Sequence, residues 1–343
     1  MKKTIITLFV LTFFSSLIFA SPSDDPIIQR DKINFVSILR SSVRNFDMSK
    51  TDPNILIVST GSKLLKTEDS GENWTELSPG SNIGSVMIDE NDPNIIYCSR
   101  SGSRVEDAVL KSVDGGLTWE DMNMNSRLLF MSKHNNIVYF VYRDEATGNP
   151  KLMVSKDNGE TWEDDIVLSP NIFPKTVTID KADNSIIYVV VNEQYGTSYR
   201  SRRDVILKST NGGRSWDKIY TSRRNSINLV FIDPVDHNVI YFSAGHGLFK
   251  STDAGLSWDK IFASRCARIC LTRAGEIYAT TSKGIAFSKD AGDDWDILIK
   301  NDRAEVFVGT GSATFEYIAY NERDGLLYVS SYSINGLLKI KIK

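Results

Sequence analysis

The chain is poor in the residues that staple or tether a fold. Its 343 residues hold three cysteines, Cys98, Cys266 and Cys270. An odd number leaves at least one thiol unpaired within a single copy, which excludes a disulfide framework. Cys266 and Cys270 stand too far apart to bridge along an extended strand, so small buried hydrophobes are the simpler reading. Only three histidines occur, His134, His237 and His246, and none has a metal-ligand spacing to a cysteine or to another histidine. No metal and no cofactor is expected. Charge of one sign is scarce as well: 40 Lys and Arg stand against 43 Asp and Glu, a formal net charge of −3. That balance lacks the basic excess of a nucleic-acid binder, so none is expected as a partner.

Past residue 20 no apolar run is long enough to cross a membrane. The run that does occur, Ile5 to Ala20, follows Lys2 and Lys3 and precedes Ser21-Pro22-Ser23-Asp24. This charged, apolar, small-residue order is that of a secretory signal peptide over residues 1–20. Cleavage after Ala20 would leave a short tail, 21–32, and one domain, 33–343. It would take the formal charge from −3 to −5 by removing Lys2 and Lys3. The expectation is a monomer exported to the periplasm or beyond, with an uncleaved anchor as the alternative.

One pattern uses up all six tryptophans. Ser or Thr, one residue, Asp or Asn, one residue, Gly, two residues and Trp recur with Asp69 and Trp74, Asp114 and Trp119, Asp157 and Trp162, Asn211 and Trp216, Asp253 and Trp258, and Asp290 and Trp295. Apolar runs such as Gly247-Leu248-Phe249-Lys250 precede each copy and others follow, which makes each one the turn of a β-hairpin. The Asp or Asn oxygen can accept backbone N–H groups in the turn, Gly supplies a positive φ, and Trp offers a large apolar face to wedge between sheets. The motif is thus a folding device. It resembles the Asp-box (BNR) repeat of a superfamily of β-propellers. That superfamily includes sialidases, sortilin-type receptors, xyloglucan-cleaving glycosidases and the photosystem II assembly factors, the last being nearest in size and layout.

Successive tryptophans are 45, 43, 54, 42 and 37 residues apart, the period of propeller blades. The second unit shows four strands: Ser85–Ile88, Ile95–Cys98, Val109–Lys111 and a last one at Trp119, with an Asp92-Pro93-Asn94 turn between the first two. Six boxes suggest six blades, but the ends argue for seven. Glu305–Val308 or Phe315–Tyr320, then Leu326–Ser330 and Leu337–Ile342, supply three strands, and the alternating stretch Ile33–Leu39 is left over to complete them. The expected fold is therefore all-β, a single seven-bladed propeller of four-stranded blades closed by an N-terminal strand. Six blades with a partial cap is the alternative.

In such blades the boxes and the Asp-Pro-Asn turns share one face, and the second-to-third loops with the inter-blade connections form the other. Thirteen of the eighteen arginines fall in or beside these variable loops, among them Arg100, Arg104, Arg223, Arg224, Arg265 and Arg268. The longest loop, Asn192 to Asp204, carries Tyr195, Tyr199, Arg200, Arg202 and Arg203. Guanidinium is suited to bidentate capture of acidic groups, whereas Lys66, Lys111, Lys208 and Lys250 sit beside the boxes. Acidic neighbours such as Glu193 and Asp204 could instead tie the same loops together. The resemblance implies for sialidases three arginines, a Tyr–Glu pair and an acidic Asp. Here Val43-Arg44-Asn45-Phe46 stands where their Phe/Tyr-Arg-Ile-Pro segment would, and no catalytic residue can be named. The expected function is a non-catalytic propeller that binds a protein, a peptide or an acidic glycan through the variable face. A sialidase-like glycoside hydrolase is the alternative.

Overall fold

A strand with one wet face alternates apolar and polar residues, and a strand covered on both faces has no need to. The second strand of a repeat is of the latter kind: residues 56–59, 240–244 and 277–281 are buried at every position. The tertiary arrangement explains this. The computed structural model describes residues 34–39, 41–102, 105–122, 127–143, 150–163, 166, 168, 172–194, 202–222, 226–300, 315–331 and 336–342. These form seven antiparallel sheets arranged as the blades of a propeller, each packed between two neighbours.

The chain begins with β1 (Asn34–Leu39). Blade 1 is β2 (Asn45–Met48), β3 (Leu56–Ser59), β4 (Leu64–Thr67) and β5 (Thr75–Leu77). Blade 2 is β6 (Ile83–Ile88), β7 (Ile96–Gly102), β8 (Val105–Ser112) and β9 (Glu120–Asp121). Blade 3 is β10 (Arg127–His134), β11 (Ile137–Arg143) and β12 (Pro150–Ser155), its fourth place marked by a bridge from Glu163 to Val154. Blade 4 is β13 (Ile172–Ile179), β14 (Ile187–Gln194), β15 (Arg202–Ser209) and β16 (Asp217–Thr221). Blade 5 is β17 (Ile227–Ile232), β18 (Ile240–Ala244), β19 (Gly247–Ser251) and β20 (Asp259–Phe262). Blade 6 is β21 (Cys266–Leu271), β22 (Ile277–Thr281), β23 (Gly284–Ser288) and β24 (Asp296–Lys300). Blade 7 is β25 (Phe315–Asn321), β26 (Leu326–Ser331) and β27 (Gly336–Lys341).

The outermost place of blade 7 is taken by β1, whose Asn34 pairs with Lys341 and Leu39 with Leu337. The seven-bladed reading holds and the six-bladed alternative falls. The closure also explains why there are six boxes. A box joins the third strand of a blade to its fourth, and in blade 7 those two strands, β27 and β1, are not consecutive along the chain. Of the two first strands considered for this blade, Phe315–Asn321 is the one observed, and Glu305–Val308 lies outside the described residues.

The first strands line the centre and leave edge groups that no further strand can pair. Side chains do so instead. Asp47 Oδ2 accepts Ile88 N–H at 2.8 Å, Thr178 Oγ1 donates to Val230 O at 2.9 Å, and Asn228 Nδ2 donates to Cys266 O at 2.8 Å. Each bond crosses from one first strand to the next. Burial pushes the Asp47 carboxyl above the usual carboxylate range, although Lys50 opposes the shift.

The core is divided among the seams. Seven buried apolar clusters occur among the described residues, one at each junction of consecutive blades. Every box tryptophan packs against the cluster that joins its own blade to the preceding one, such as Trp258 beside Phe242 and Tyr188 between blades 4 and 5. The tryptophans are half-buried rather than enclosed. Among the described residues the seam between blades 2 and 3 has the fewest fully buried members, Val109, Val138 and Phe140, backed by the partly buried Met122, Met131, Met153 and Trp162.

Each box closes on itself. In that of blade 5, Ser251 Oγ donates to Asp253 Oδ1 at 2.7 Å and accepts Gly255 N–H at 2.8 Å, while Asp253 Oδ1 also accepts Ser257 N–H at 2.8 Å. Ser257 Oγ donates to the other carboxylate oxygen at 2.5 Å. The bonds from backbone and hydroxyl donors favour the charged form. They hold Asp69, Asp114, Asp157 and Asp253 at about 2. Asn211 keeps the geometry without the charge: its Oδ1 accepts Ser215 N–H at 2.9 Å and its Nδ2 donates to Ser215 Oγ at 2.8 Å. Gly255 has φ 98°, and a Cβ there would come within 2.6 Å of Ile219.

The lysines before the boxes have a role that their position alone does not disclose. Each reaches into the next blade and donates to a box carbonyl whose residue is held at positive φ. Lys66 bonds Gly115 O at 3.3 Å, Lys111 bonds Asn158 O at 3.1 Å, Lys208 bonds Ala254 O at 3.1 Å, and Lys250 bonds Ala291 O at 3.0 Å. Lys339 of blade 7 does the same to Ser70 O of blade 1 at 3.1 Å. Two blades lack this lysine. Phe287 stands in its place in blade 6, whose neighbour has no box, and stacks on Tyr278 at 4.7 Å. Val154 stands there in blade 3 and joins the apolar cluster shared with blade 4.

Candidate functional site

The two faces differ in how their polar groups are used. On the box face, turn carboxylates are consumed by backbone donors and lysines by carbonyls. The boxes are also tied to the first turns, as in Ala254 N–H to Asn238 O at 2.8 Å. The opposite face carries the candidate site.

Of the nine residues singled out there, Tyr195, Tyr199, Arg200, Arg223, Arg224 and Arg104 lie outside the described residues. The expected long loop is shorter than its composition suggests. Glu193 pairs with Arg203 and Gln194 with Arg202 in the ladder between β14 and β15, so only 195–201 connect them. The polar residues that read as loop are buried for a reason. Asp204, fully inaccessible, accepts Ile227 N–H at 2.8 Å and Lys175 Nζ at 2.9 Å, and Asn192 Nδ2 donates to it at 3.3 Å. It ties blade 4 to the first strand of blade 5.

Arg203 donates through Nε to Glu193 at 2.8 Å, and Lys218 pairs with the same carboxylate. The two cations pull the Glu193 carboxyl below its ordinary range, Lys218 foremost. Arg202 lies over the Phe173 ring, 5.1 Å from its centre, and donates to Gln194 Oε1 at 3.2 Å. Arg100 is on β7 in blade 2, with blade 3 between it and this hairpin. Its Nε is buried without a hydrogen-bond partner, and its Nη1 lies 3.2 Å from where a Cβ on Gly80 would sit. The three described arginines therefore share a face but do not converge.

A second group lies across the ring on the same face. Arg268, at the variable-face end of β21, stacks over Tyr317 of blade 7 at 4.3 Å, and Tyr317 meets Phe46 of blade 1 edge-on at 6.4 Å. Arg44 precedes β2, and its guanidinium crosses the space beside Gly61. Arg265, Lys283 and Lys300 are exposed around the end of blade 6. Among the described residues none of Arg44, Arg100, Arg265, Arg268, Lys283 and Lys300 forms an ion pair, whereas Lys175, Arg203 and Lys218 of blade 4 do. Sequence reasoning placed Arg265 and Arg268 on this face but had no signal for Lys283 or Lys300, whose position depends on where β23 and β24 end.

The thiols serve packing. Cys98 and Cys266 are fully buried and Cys270 partly so; none is bonded to another, and burial pushes Cys98 and Cys266 up to about 12. Cys266 and Cys270 lie on one strand, β21, which keeps them apart.

The fold and these faces define the class: a seven-bladed β-propeller whose repeated turns close on themselves. No family model and no curated relative matches the chain. Solved structures do. A xyloglucanase of family GH74 from Xanthomonas campestris superposes with a TM-score of 0.68 at 16% identity, over 90% of this chain and 54% of its own. The chain thus spans about half of that enzyme. YCF48 bound to a D1 peptide gives 0.64 at 13% identity, over 93% of this chain and 99% of its own. PorZ, a surface component of the type-IX secretion system of Porphyromonas gingivalis, gives 0.61 at 14% identity, over 86% and 46%. At such identities the likeness is one of fold.

Proposed function

We propose that the protein is an exported, non-catalytic propeller that holds an acidic peptide or protein segment against its variable face. One observation carries the reading. Among the described residues Arg44, Arg100, Arg265, Arg268, Lys283 and Lys300 of that face form no ion pair, whereas Lys63 of blade 1 pairs with Glu76 and the cations on the blade 4 hairpin and most of those on the box face are engaged. Unpaired guanidinium groups beside aromatic rings are good anchors, because they bury area and still make directed polar contacts. Two propellers of like fold, YCF48 with its D1 peptide and the surface component PorZ, make a peptide partner and an exported location reasonable here.

The test is a binding screen of the chain lacking residues 1–20 against acidic peptides, acidic glycans and fluorogenic sialosides. Peptide binding should weaken as salt rises, because the contacts are partly exposed charges. Arg44, Arg265 and Arg268 changed together to Ala should abolish it. The triple change Arg200→Ala, Arg202→Ala and Arg203→Ala should have the smaller effect. Turnover of a glycoside would replace this reading with the hydrolase one, and binding indifferent to both triple changes would remove the face.

A further inference from the structure

The thin seam between blades 2 and 3 is supplemented by charge. On the box face, blade 2 offers Asp89 and Glu90 from the turn after β6, blade 3 offers Lys133 and His134 from the end of β10, and blade 4 offers Asp180 and Lys181 from the turn after β13. Lys133 pairs with the buried Asp89, and Lys181 Nζ pairs with Glu90 at 2.6 Å. Asn135 N–H donates to Glu90 Oε1 at 2.8 Å. His134 sits at the centre of this network, 8% exposed. Its Nδ1 touches the Glu90 carboxylate off the hydrogen-bond direction, a contact that is an ion pair only when the ring carries both protons.

The other ring nitrogen faces two groups of opposite demand. His134 Nε2 is 3.1 Å from the Lys181 carbonyl, which can only accept, and 3.0 Å from Asn135 Nδ2, which can only donate. A single protonation state cannot satisfy both. With Nε2 bare, it accepts from the Asn135 amide within its own blade. With both nitrogens protonated, the ring is a cation bound to Glu90 of blade 2 and donating from Nε2 to the Lys181 carbonyl of blade 4, and the Asn135 amide must turn to present its oxygen.

We propose that His134 is a proton-operated latch: protonation moves its Nε2 bond from Asn135 to the Lys181 carbonyl and ties blades 2, 3 and 4 together. The latch is independent of the ligand reading, since it lies on the box face.

Three histidines make direct observation practical. Imidazole nitrogen NMR of the protein lacking residues 1–20, with His237→Gln and His246→Gln assigning the other two rings, should show His134 Nε2 gaining its proton as pH falls from 8 to 5. The Asn135 side-chain amide should shift in the same transition. Protected amides of β10 and β13 should exchange about fivefold more slowly at pH 5.5 than at pH 8 after correction for intrinsic rates, since a charged hydrogen bond replaces a neutral one. In His134→Gln that slowing should vanish. If Nε2 keeps one state throughout, or titrates while Asn135 and the amides do not respond, the latch is wrong. If the Gln variant does not fold, the wild-type spectra decide.

Discussion

The lysine that crosses each seam gives the sharpest test of how the ring is held. Lys250→Met keeps the apolar stem and removes the ammonium. What is lost is one charged hydrogen bond, to Ala291 O at 3.0 Å, and a distant contact with the Tyr241 ring at 5.9 Å. Hydrogen bonds to charged groups contribute about 1.5–3 kcal/mol and a partly exposed cation–π contact about 0.5. A cost of about 2–3 kcal/mol is therefore expected, which for a domain this large lowers the melting temperature by about 3–5 °C. The reciprocal change is Phe287→Lys. Phe287 is 5% exposed and holds the same place in blade 6, but blade 7 has no box and so no carbonyl to receive the ammonium. The substitution that restores the repeat's own residue should therefore destabilise by more than about 3 kcal/mol, through an unpaired buried charge. Thermal melts of both variants by circular dichroism decide the matter. A Lys250→Met protein that melts with wild type, or a Phe287→Lys protein that gains stability, would refute the role of the bond.

Three further outcomes are expected. Removing residues 21–39 from the chain lacking residues 1–20 takes away β1, exposes the edge of β27 and frees Trp74 Nε1, which donates to Ile38 O at 3.1 Å; melting should fall and self-association rise, measured by calorimetry and light scattering. Trp258→Ala should cost about 2–4 kcal/mol in denaturant unfolding, below the full value for an enclosed aromatic because the ring is half-buried. The box carboxylates have folded values below their unfolded ones, so their contribution is complete above about pH 4 and is lost as pH falls toward about 2; Asp253→Asn, which copies Asn211 with its Ser215 partner, should flatten part of that acid slope while leaving neutral stability nearly unchanged.

Much of this protein was legible as sequence because its fold is local and repeated. The box writes its own hairpin: Ser251, Asp253, Gly255 and Ser257 satisfy one another within seven residues, so no distant information is needed to place the turn. The strand order within a blade and the leftover stretch before β2 follow from the same period. Composition failed where partners come from other blades. Asn192 and Asp204 read as loop because polar residues favour solvent, yet Asp204 is buried by donors from Lys175 and Ile227, far away along the chain. Lys250 faces a box across its seam and Phe287 does not, a consequence of where the ring closes. Arginines could be assigned to a face by counting strands, but whether each meets a carboxylate depends on side chains from separate blades. Tertiary structure alone showed Arg203 to be neutralised by Glu193 and Arg268 to lie on Tyr317, with no acidic partner among the described residues.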